Sequence, residues 1–512
     1  MKLLFMRASL AGIAVIVLFG CAVGPDFRPP ELQTTGSYTA SPLPSHTANA
    51  PTGGGTAQRF AFAQDLSSQW WTLFRSPELD ALIKQGLMDS PSLSAARAAL
   101  REAQENLRAT SGTLLYPGVD AGAQETRQRT SGIFYGGSSS EYDLYNASVK
   151  VSYTLDLFGG SRRRLEALRA QVDYQSYQFE AAYLSLTANI VTTSIREASL
   201  RAQIGATRDI LAAEQKRLDV VKRRFQLGAV SRTSVLSQQL ELAKTRVALP
   251  PLEKQLAFTR HALSVLTGQL PGEGKLPRFR LNSLTLPEVL PVSLPSELAH
   301  QRPDIRASEA LLHQASAAVG IATANLYPQI TLSGRYGTEA AGMGDLFSSQ
   351  SVIWNLGAGL LGPIFHGGQL TARRRAAIAV YDEAEAQYRQ TVLKAFQNVA
   401  DVLRALDTDA CTLRAQAEVE AAAKATLNLT QRQFELGAVS YLSLLVAQRD
   451  YQQARINLIV AQAERYSDTA ALFQALGGGW WNRVSVSAGT ASKRVKTDRP
   501  ATAGSLHRGG SE

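Results

Sequence analysis

Side chains able to do chemistry are few in this sequence, and they lie far apart. The six histidines, His46, His261, His300, His313, His366 and His507, are scattered through 512 residues. None belongs to a His-Glu-x-x-His pair or to a Cys/His group of metal-ligand spacing. No glycine-rich phosphate loop and no nucleophile elbow occurs either. The expectation is a protein that is not an enzyme and that uses no cofactor and no metal. Only two cysteines exist, Cys21 and Cys411, so no disulfide framework is available. Cys411 lies in a long helical stretch and reads as a small, half-buried residue. Cys21 has a context for covalent modification. Lys2 and Arg7 precede an apolar run from Leu10 to Phe19, and Leu18-Phe-Gly leads into the cysteine, which is the charge, apolar core and small residue of a bacterial lipoprotein signal. The run is too short to span a membrane comfortably. Residues 1–20 are expected to be the signal peptide and Cys21 the lipidated first residue of the mature chain. Ala22, rather than Asp, in the next position fits sorting to the outer membrane.

Composition narrows the setting. The net charge is +10, but Lys2 and Arg7 leave with the signal and +3 of the remaining +8 sits in the tail after Arg483, so the charge on the body of the chain is mild. No clustered basic face with a recognisable module appears, so nucleic acid is not an expected partner. With 45% hydrophobic and 19% charged residues the chain folds, yet beyond the signal no stretch approaches the apolar length of a membrane helix. A membrane crossing would have to be a closed barrel.

The elements that position these residues come in two copies. Phe225-Gln-Leu-Gly-Ala-Val-Ser231 returns as Phe434-Glu-Leu-Gly-Ala-Val-Ser440, about 209 positions later. Each copy reads as a helix end with Gly228 or Gly437 in the left-handed position, followed by Ser231 or Ser440 as N-cap of the next helix. Leu115-Tyr116-Pro117 is echoed by Leu326-Tyr327-Pro328, and Leu157-Phe158-Gly159-Gly160 by Ile364-Phe365-His366-Gly367-Gly368. The repeat units run over 70–270 and 290–481, each with the order helix, two strands, long helix, turn, long helix. Residues 21–69 precede them as an extended segment, in which the Pro/Thr/Ser-rich stretch Thr34 to Thr56, with Gly53-Gly54-Gly55, reads as an extended or flexible linker. Residues 482–512 have little periodicity and are expected to be a disordered tail.

From Tyr145 to Leu157 apolar and polar residues alternate strictly, with Val149, Val151 and Tyr153 on one face and Ser148, Lys150 and Ser152 on the other. A water-facing row opposite an apolar row is the signature of a transmembrane barrel strand. Val119 to Gln124, Ile330 to Tyr336 and Val352 to Leu360 alternate likewise, and the Gly- and Ser-rich stretches Thr130 to Ser140 and Ala340 to Gln350 are expected hairpin tips. A soluble sheet packed on helices fits the alternation as well. Four strands cannot close a barrel, so a barrel requires several subunits, in a number the alternation leaves open. Between Ser161 and Leu227, and between Gln369 and Leu436, the only glycine is Gly205 and there is no proline; helices of such length reach about 100 Å.

On Cys21-Ala-Val-Gly-Pro-Asp-Phe27, Trp70-Trp71-Thr-Leu-Phe74, Pro77-Glu-Leu-Asp-Ala-Leu82, Arg302-Pro-Asp-Ile-Arg306, the two turns and Leu476-Gly-Gly-Gly-Trp480, the chain resembles the outer-membrane efflux factor family of TolC and OprM type. The branch it resembles is the lipoprotein branch, which serves tripartite resistance-nodulation-division efflux systems. The resemblance implies a mainly α fold with β: a TolC-like homotrimer in which each protomer gives four strands to a 12-stranded outer-membrane β-barrel and long helices to a periplasmic α-barrel. It further implies a passive exit duct for drugs or other small molecules, lipid-anchored in the outer membrane and extending into the periplasm, with a periplasmic adaptor protein and an inner-membrane pump as partners. Leu227, Gly228, Ala229, Val230 and Ser231, with Leu436, Gly437, Ala438, Val439 and Ser440, match the family's adaptor-contact tips. Leu442 and Val446 match its aperture positions, but where many relatives carry Leu-Leu-Asp-Ala-Gln this chain has Leu444-Leu445-Val446-Ala447-Gln448, which removes an acidic ring unless Asp450 replaces it. Metal-ion efflux, protein export or a non-conducting periplasmic scaffold are the competing readings, and the substrate is not legible.

Overall fold

The structure, a computed structural model, describes residues 22–31, 36–131 and 139–483. Eight α-helices and six strands are described, in two matching sets. The first set is α1 (Pro77–Asp89), α2 (Pro91–Leu115), β2 (Gly118–Thr130), β3 (Ser140–Leu155), α3 (Gly160–Gln226) and α4 (Arg232–Leu266). The second is α5 (Pro295–Gln301), α6 (Pro303–Ala324), β5 (Gln329–Ala340), β6 (Val352–Leu361), α7 (Gln369–Glu435) and α8 (Tyr441–Ala475). Two short strands, β1 (Arg59–Phe62) and β4 (Val289–Val292), pair in parallel beside them.

The elements form a wall one layer thick. The long sheet is antiparallel in the order β2-β3-β5-β6, with Val151 opposite Val119 and Gly334, and Tyr336 opposite Trp354. Beneath it α2, α3, α6 and α7 stand in a row, and further down the row is α4, α3, α8 and α7. α3 and α7 are 67 residues each, about 100 Å of helix. The edges of every row, β2, α2 and α4 on one side and β6 and α7 on the other, have no further element of their row beside them among the described residues.

The strand read as Tyr145 to Leu157 is displaced: β3 begins at Ser140 and ends at Leu155. Asp156 is not a strand residue but a cap. Its carboxylate accepts the N–H groups of Ser161 (3.0 Å) and Arg162 (2.9 Å), the orphan donors at the start of α3. Gly159 (φ 79°) and Gly368 (φ 82°) turn the chain from sheet to helix at the two corresponding points.

The hydrophobic core sits as a belt where the helices cross β1 and β4. Trp70, Trp71, Phe74, Ile83, Ile195 and Phe473 are fully or almost fully buried there. Trp71 Nε1 donates to Asp80 Oδ1 at 3.1 Å, and Ser76 caps α1 by accepting from the Leu79 N–H. Two buried charges tie the belt together. Glu197, with no exposed surface, accepts from Arg201 and Arg260 (both 2.7 Å) and from the Phe279 N–H (3.1 Å). Arg465 binds Thr47 Oγ1 (2.9 Å) and the Thr56 carbonyl (2.7 Å). Residues 36–56, the described part of the expected linker, are therefore a strap fastened to α8 rather than a loose segment. Gly54 lies against Tyr466, where an added Cβ would stand 2.9 Å from the ring.

Candidate functional site

Two regions answer to the residues singled out in the sequence: the far end of the helices, with both turns, and the sheet with residues 22–26. At the turns, Gly228 (φ 74°) and Gly437 (φ 75°) take the left-handed conformation that closes a helix. The Ala229 N–H returns to the Arg224 carbonyl at 2.9 Å and the Ala438 N–H to Gln433 at 2.8 Å. Ser231 and Ser440 then cap α4 and α8 by accepting from the N–H groups of Ser234 and Ser443. Leu227 and Leu436 stand out from their turns, 83% and 84% exposed. Ala229, Val230, Ala438 and Val439 complete two surfaces of matching backbone geometry.

On α8, Leu442, Val446 and Asp450 fall one turn apart on a single exposed stripe, while Leu444, Leu445, Ala447 and Gln448 are buried on the opposite side. Leu442 is 69% exposed and Val446 40%. Asp450 keeps its carboxylate in the open, 3.5 Å from the guanidinium of its neighbour Arg449.

Behind the turns lies a polar cluster that sequence reading missed. Glu214 of α3, almost fully buried, accepts from Thr245 of α4 (3.1 Å) and Gln452 of α8 (2.7 Å). The Tyr441 hydroxyl donates to Gln238 Oε1, and its ring packs on Phe434, 5.3 Å between centroids. Burial pushes the Tyr441 hydroxyl pKa up to about 12, against the pull of Arg217. Burial lowers that of Arg217, opposed by Glu214 and Tyr441. Among the described residues, Glu214 Oε2, Gln238 Nε2 and Gln448 Nε2 have no hydrogen-bond partner. A buried polar atom left unpaired costs about 1–3 kcal/mol, so this junction between the hairpins is held less tightly than an apolar one. Arg455 and Asp209 bridge α8 and α3 at its edge, 3.0 Å apart. One signal could have revealed the cluster: Glu214 occupies an apolar position of α3, between Ile210 and Leu218.

At the other end, one face of the sheet is apolar. Val149, Val151, Leu332, Tyr336, Trp354 and Leu356 line a shallow hollow of about 890 Å³. Large apolar side chains exposed together, such as Tyr336, Trp354 and Leu356, mark a membrane or partner face, and strands of 10 to 16 residues are long enough to cross a bilayer when tilted. Cys21 lies outside the described residues, but Ala22 packs on Gly159, where an added Cβ would meet it at 2.5 Å. Arg163 holds the following backbone through the Val23 and Gly24 carbonyls (3.3 Å each) and pairs with Asp26 at 2.7 Å. Residues 22–26 are thus fixed at the base of the sheet. Cys411 is exposed on α7 rather than half-buried, because α7 is an edge helix.

A sheet with one apolar and one polar face, standing on long helical hairpins, is the architecture of an outer-membrane channel subunit with a periplasmic helical extension. Residues 82–269 and 294–478 match the Outer membrane efflux protein family, and the chain belongs to that family. It is 32% identical to the pyoverdine export outer membrane protein OpmQ of Pseudomonas aeruginosa over 423 residues, covering 80% of this chain and 87% of the relative. With the probable efflux pump outer membrane protein TtgC of Pseudomonas putida it shares 28% identity over 501 residues, 97% of this chain and 100% of the relative. Among solved structures, the outer-membrane channel OprN superposes with a TM-score of 0.82 at 26% identity, over 90% of this chain and 100% of that one. Members of this family are transport conduits, and the protein is not an enzyme.

Proposed function

We propose that three copies of this chain close into one lipid-anchored exit duct of a tripartite efflux pump, passing small molecules delivered by an inner-membrane pump and a periplasmic adaptor. The observation that carries the reading is the single-layer wall whose edges, among the described residues, are unpaired at every level. Four strands cannot close a barrel, twelve can, and the same closure would join α4 of one copy to α7 of the next. On this reading residues 1–20 are the signal, Cys21 bears the lipid, and 21–69 descend as the strap that Arg163 and Arg465 fasten. The units 70–270 and 290–481 are the two repeats. The tail, 482–512, lies outside the described residues beyond Arg483. The two turns are the adaptor-contact surface, and the exposed stripe of Leu442 and Val446 forms an apolar aperture that opens when the cluster around Glu214 parts. The pyoverdine exporters among the relatives favour small organic cargo.

The test is single-channel conductance of the purified, detergent-extracted protein in a planar bilayer, with oligomer mass measured on the same sample. A trimer with small, mostly closed currents that enlarge in Leu442→Ser supports the duct. A monomer, or a trimer that stays silent even in Leu442→Ser, leaves a scaffold instead.

A further inference from the structure

The long helices of the two repeats correspond residue for residue. α3 begins at Gly160 and α7 at Gln369, α4 begins at Arg232 and α8 at Tyr441, and the helices of each pair are equal in length. One shift of 209 positions therefore relates every residue of the first hairpin to its equivalent in the second. The junction between the hairpins, where α3 meets α8, lies within the chain. The same junction formed once more would set α7 of one copy against α4 of another.

Across the inner junction Asp209 of α3 and Arg455 of α8 stand 3.0 Å apart. Their equivalents are Glu418 on α7 and Arg246 on α4, so both charges keep their sign through the shift. Both are exposed, and neither has an ion pair among the described residues. Glu241, the acid nearest Arg246 along α4, is taken by Lys244. Because α3 and α8 stand between α4 and α7 in the row, Glu418 and Arg246 cannot meet within one chain. The apolar neighbours tell the same story. Ile210, beside Asp209, is 7% exposed, whereas its equivalent Val419 is 51%. Leu445, which shares a helical stripe with Gln452 and Arg455, is 8% exposed, whereas its equivalent Leu236 is 55%. Positions covered at the inner junction are bare at the two edges.

Building on the trimeric duct proposed above, we infer that Glu418 of one copy pairs with Arg246 of the next, with Val419 and Leu236 covered in the same junction. An exposed ion pair adds little stability, but complementary charges fix the register of an interface and disfavour displaced arrangements. A slip of one helical turn towards Arg414 would bring Arg246 against a like charge. The pair thus sets the height at which neighbouring copies join.

The experiment uses a zero-length carbodiimide, which joins an amine to a carboxylate only where the two touch, on the detergent-extracted full chain carrying Arg246→Lys. The expected result is a peptide joining positions 246 and 418 in the digest of the trimer, lost when Glu418→Gln is added. Arg455→Lys calibrates the chemistry through its link to Asp209 inside one chain. Charge reversal gives a second reading: Glu418→Arg and Arg246→Glu each lower the temperature at which the trimer dissociates in detergent, and the two together restore it. A trimer of the right mass that lacks the peptide joining 246 and 418, while the calibrating link forms, overturns the inference and leaves the duct standing. So does a double reversal that dissociates no later than the weaker single variant. A parent that is monomeric overturns the duct itself and the inference with it.

Discussion

The two hairpins have the same length and the same turn, yet they are not packed alike. α4 leaves Leu236, Leu240, Val247 and Phe258 exposed, Val247 at 72%, and contains Pro250 and Pro251, which remove two donors from its ladder. α8 has neither proline nor so open a face; it lies between α3 and α7 and buries residues along its whole length. At the turns, Tyr441 packs and hydrogen-bonds where the first copy has the solvent-directed Arg232. Duplication thus preserved backbone geometry while the side chains diverged with position in the row: one return helix is internal, the other stands at the edge.

Mutations can break or sharpen this contrast. The largest effect is expected midway along the long helices. Glu197→Ala strands two arginines and the Phe279 N–H, and should destabilise by about 3–5 kcal/mol, read by thermal unfolding. The corresponding position of α7 is the equally buried Leu406, so a charge belongs only to the first copy. Next comes Tyr441→Ala, expected to cost about 2 kcal/mol through the lost ring contact and hydrogen bond, whereas Arg232→Ala should stay within about 0.5 kcal/mol. Equal costs would contradict the asymmetry. Gly228→Ala and Gly437→Ala should each cost about 1 kcal/mol, because both glycines have positive φ and open space around them; here the copies should agree, and unequal denaturation midpoints would show that the turns differ.

The smallest signal is pH-dependent and confined to the second hairpin. Burial, with Asp468 and Glu464 alongside, pushes the Asp409 carboxyl up to about 7 from an ordinary 3.8, against the pull of Arg465. The folded chain then holds a proton that the unfolded chain has released, so stability falls as pH rises from about 4 to 7 and levels off above. Asp409→Asn should flatten that dependence, detectable as a melting-temperature difference of about 2 °C between pH 5 and pH 8.

Legibility followed the range of the interactions. The turns, the alternating strands and the glycine- and proline-poor helices depend on neighbours in sequence and could be read there. Asp156 looked like the next polar strand position because its role depends on a turn that presents it to Ser161. Gly53-Gly54-Gly55 looked like a linker because its partner, Tyr466, is some four hundred residues away. Glu214 and Tyr441 act across three helices, and no local pattern announces that.

The equal lengths of α3 and α7, and likewise of α4 and α8, both 35 residues, make the protein a pair of matched rulers. Removing seven residues from one helix pair alone would stagger the two ends by about 10 Å and leave a partner meeting them with an uneven rim. The same deletion in both pairs would shorten the reach while keeping the rim level. The distance this wall can bridge is therefore written twice in the chain and can change only if both copies change together.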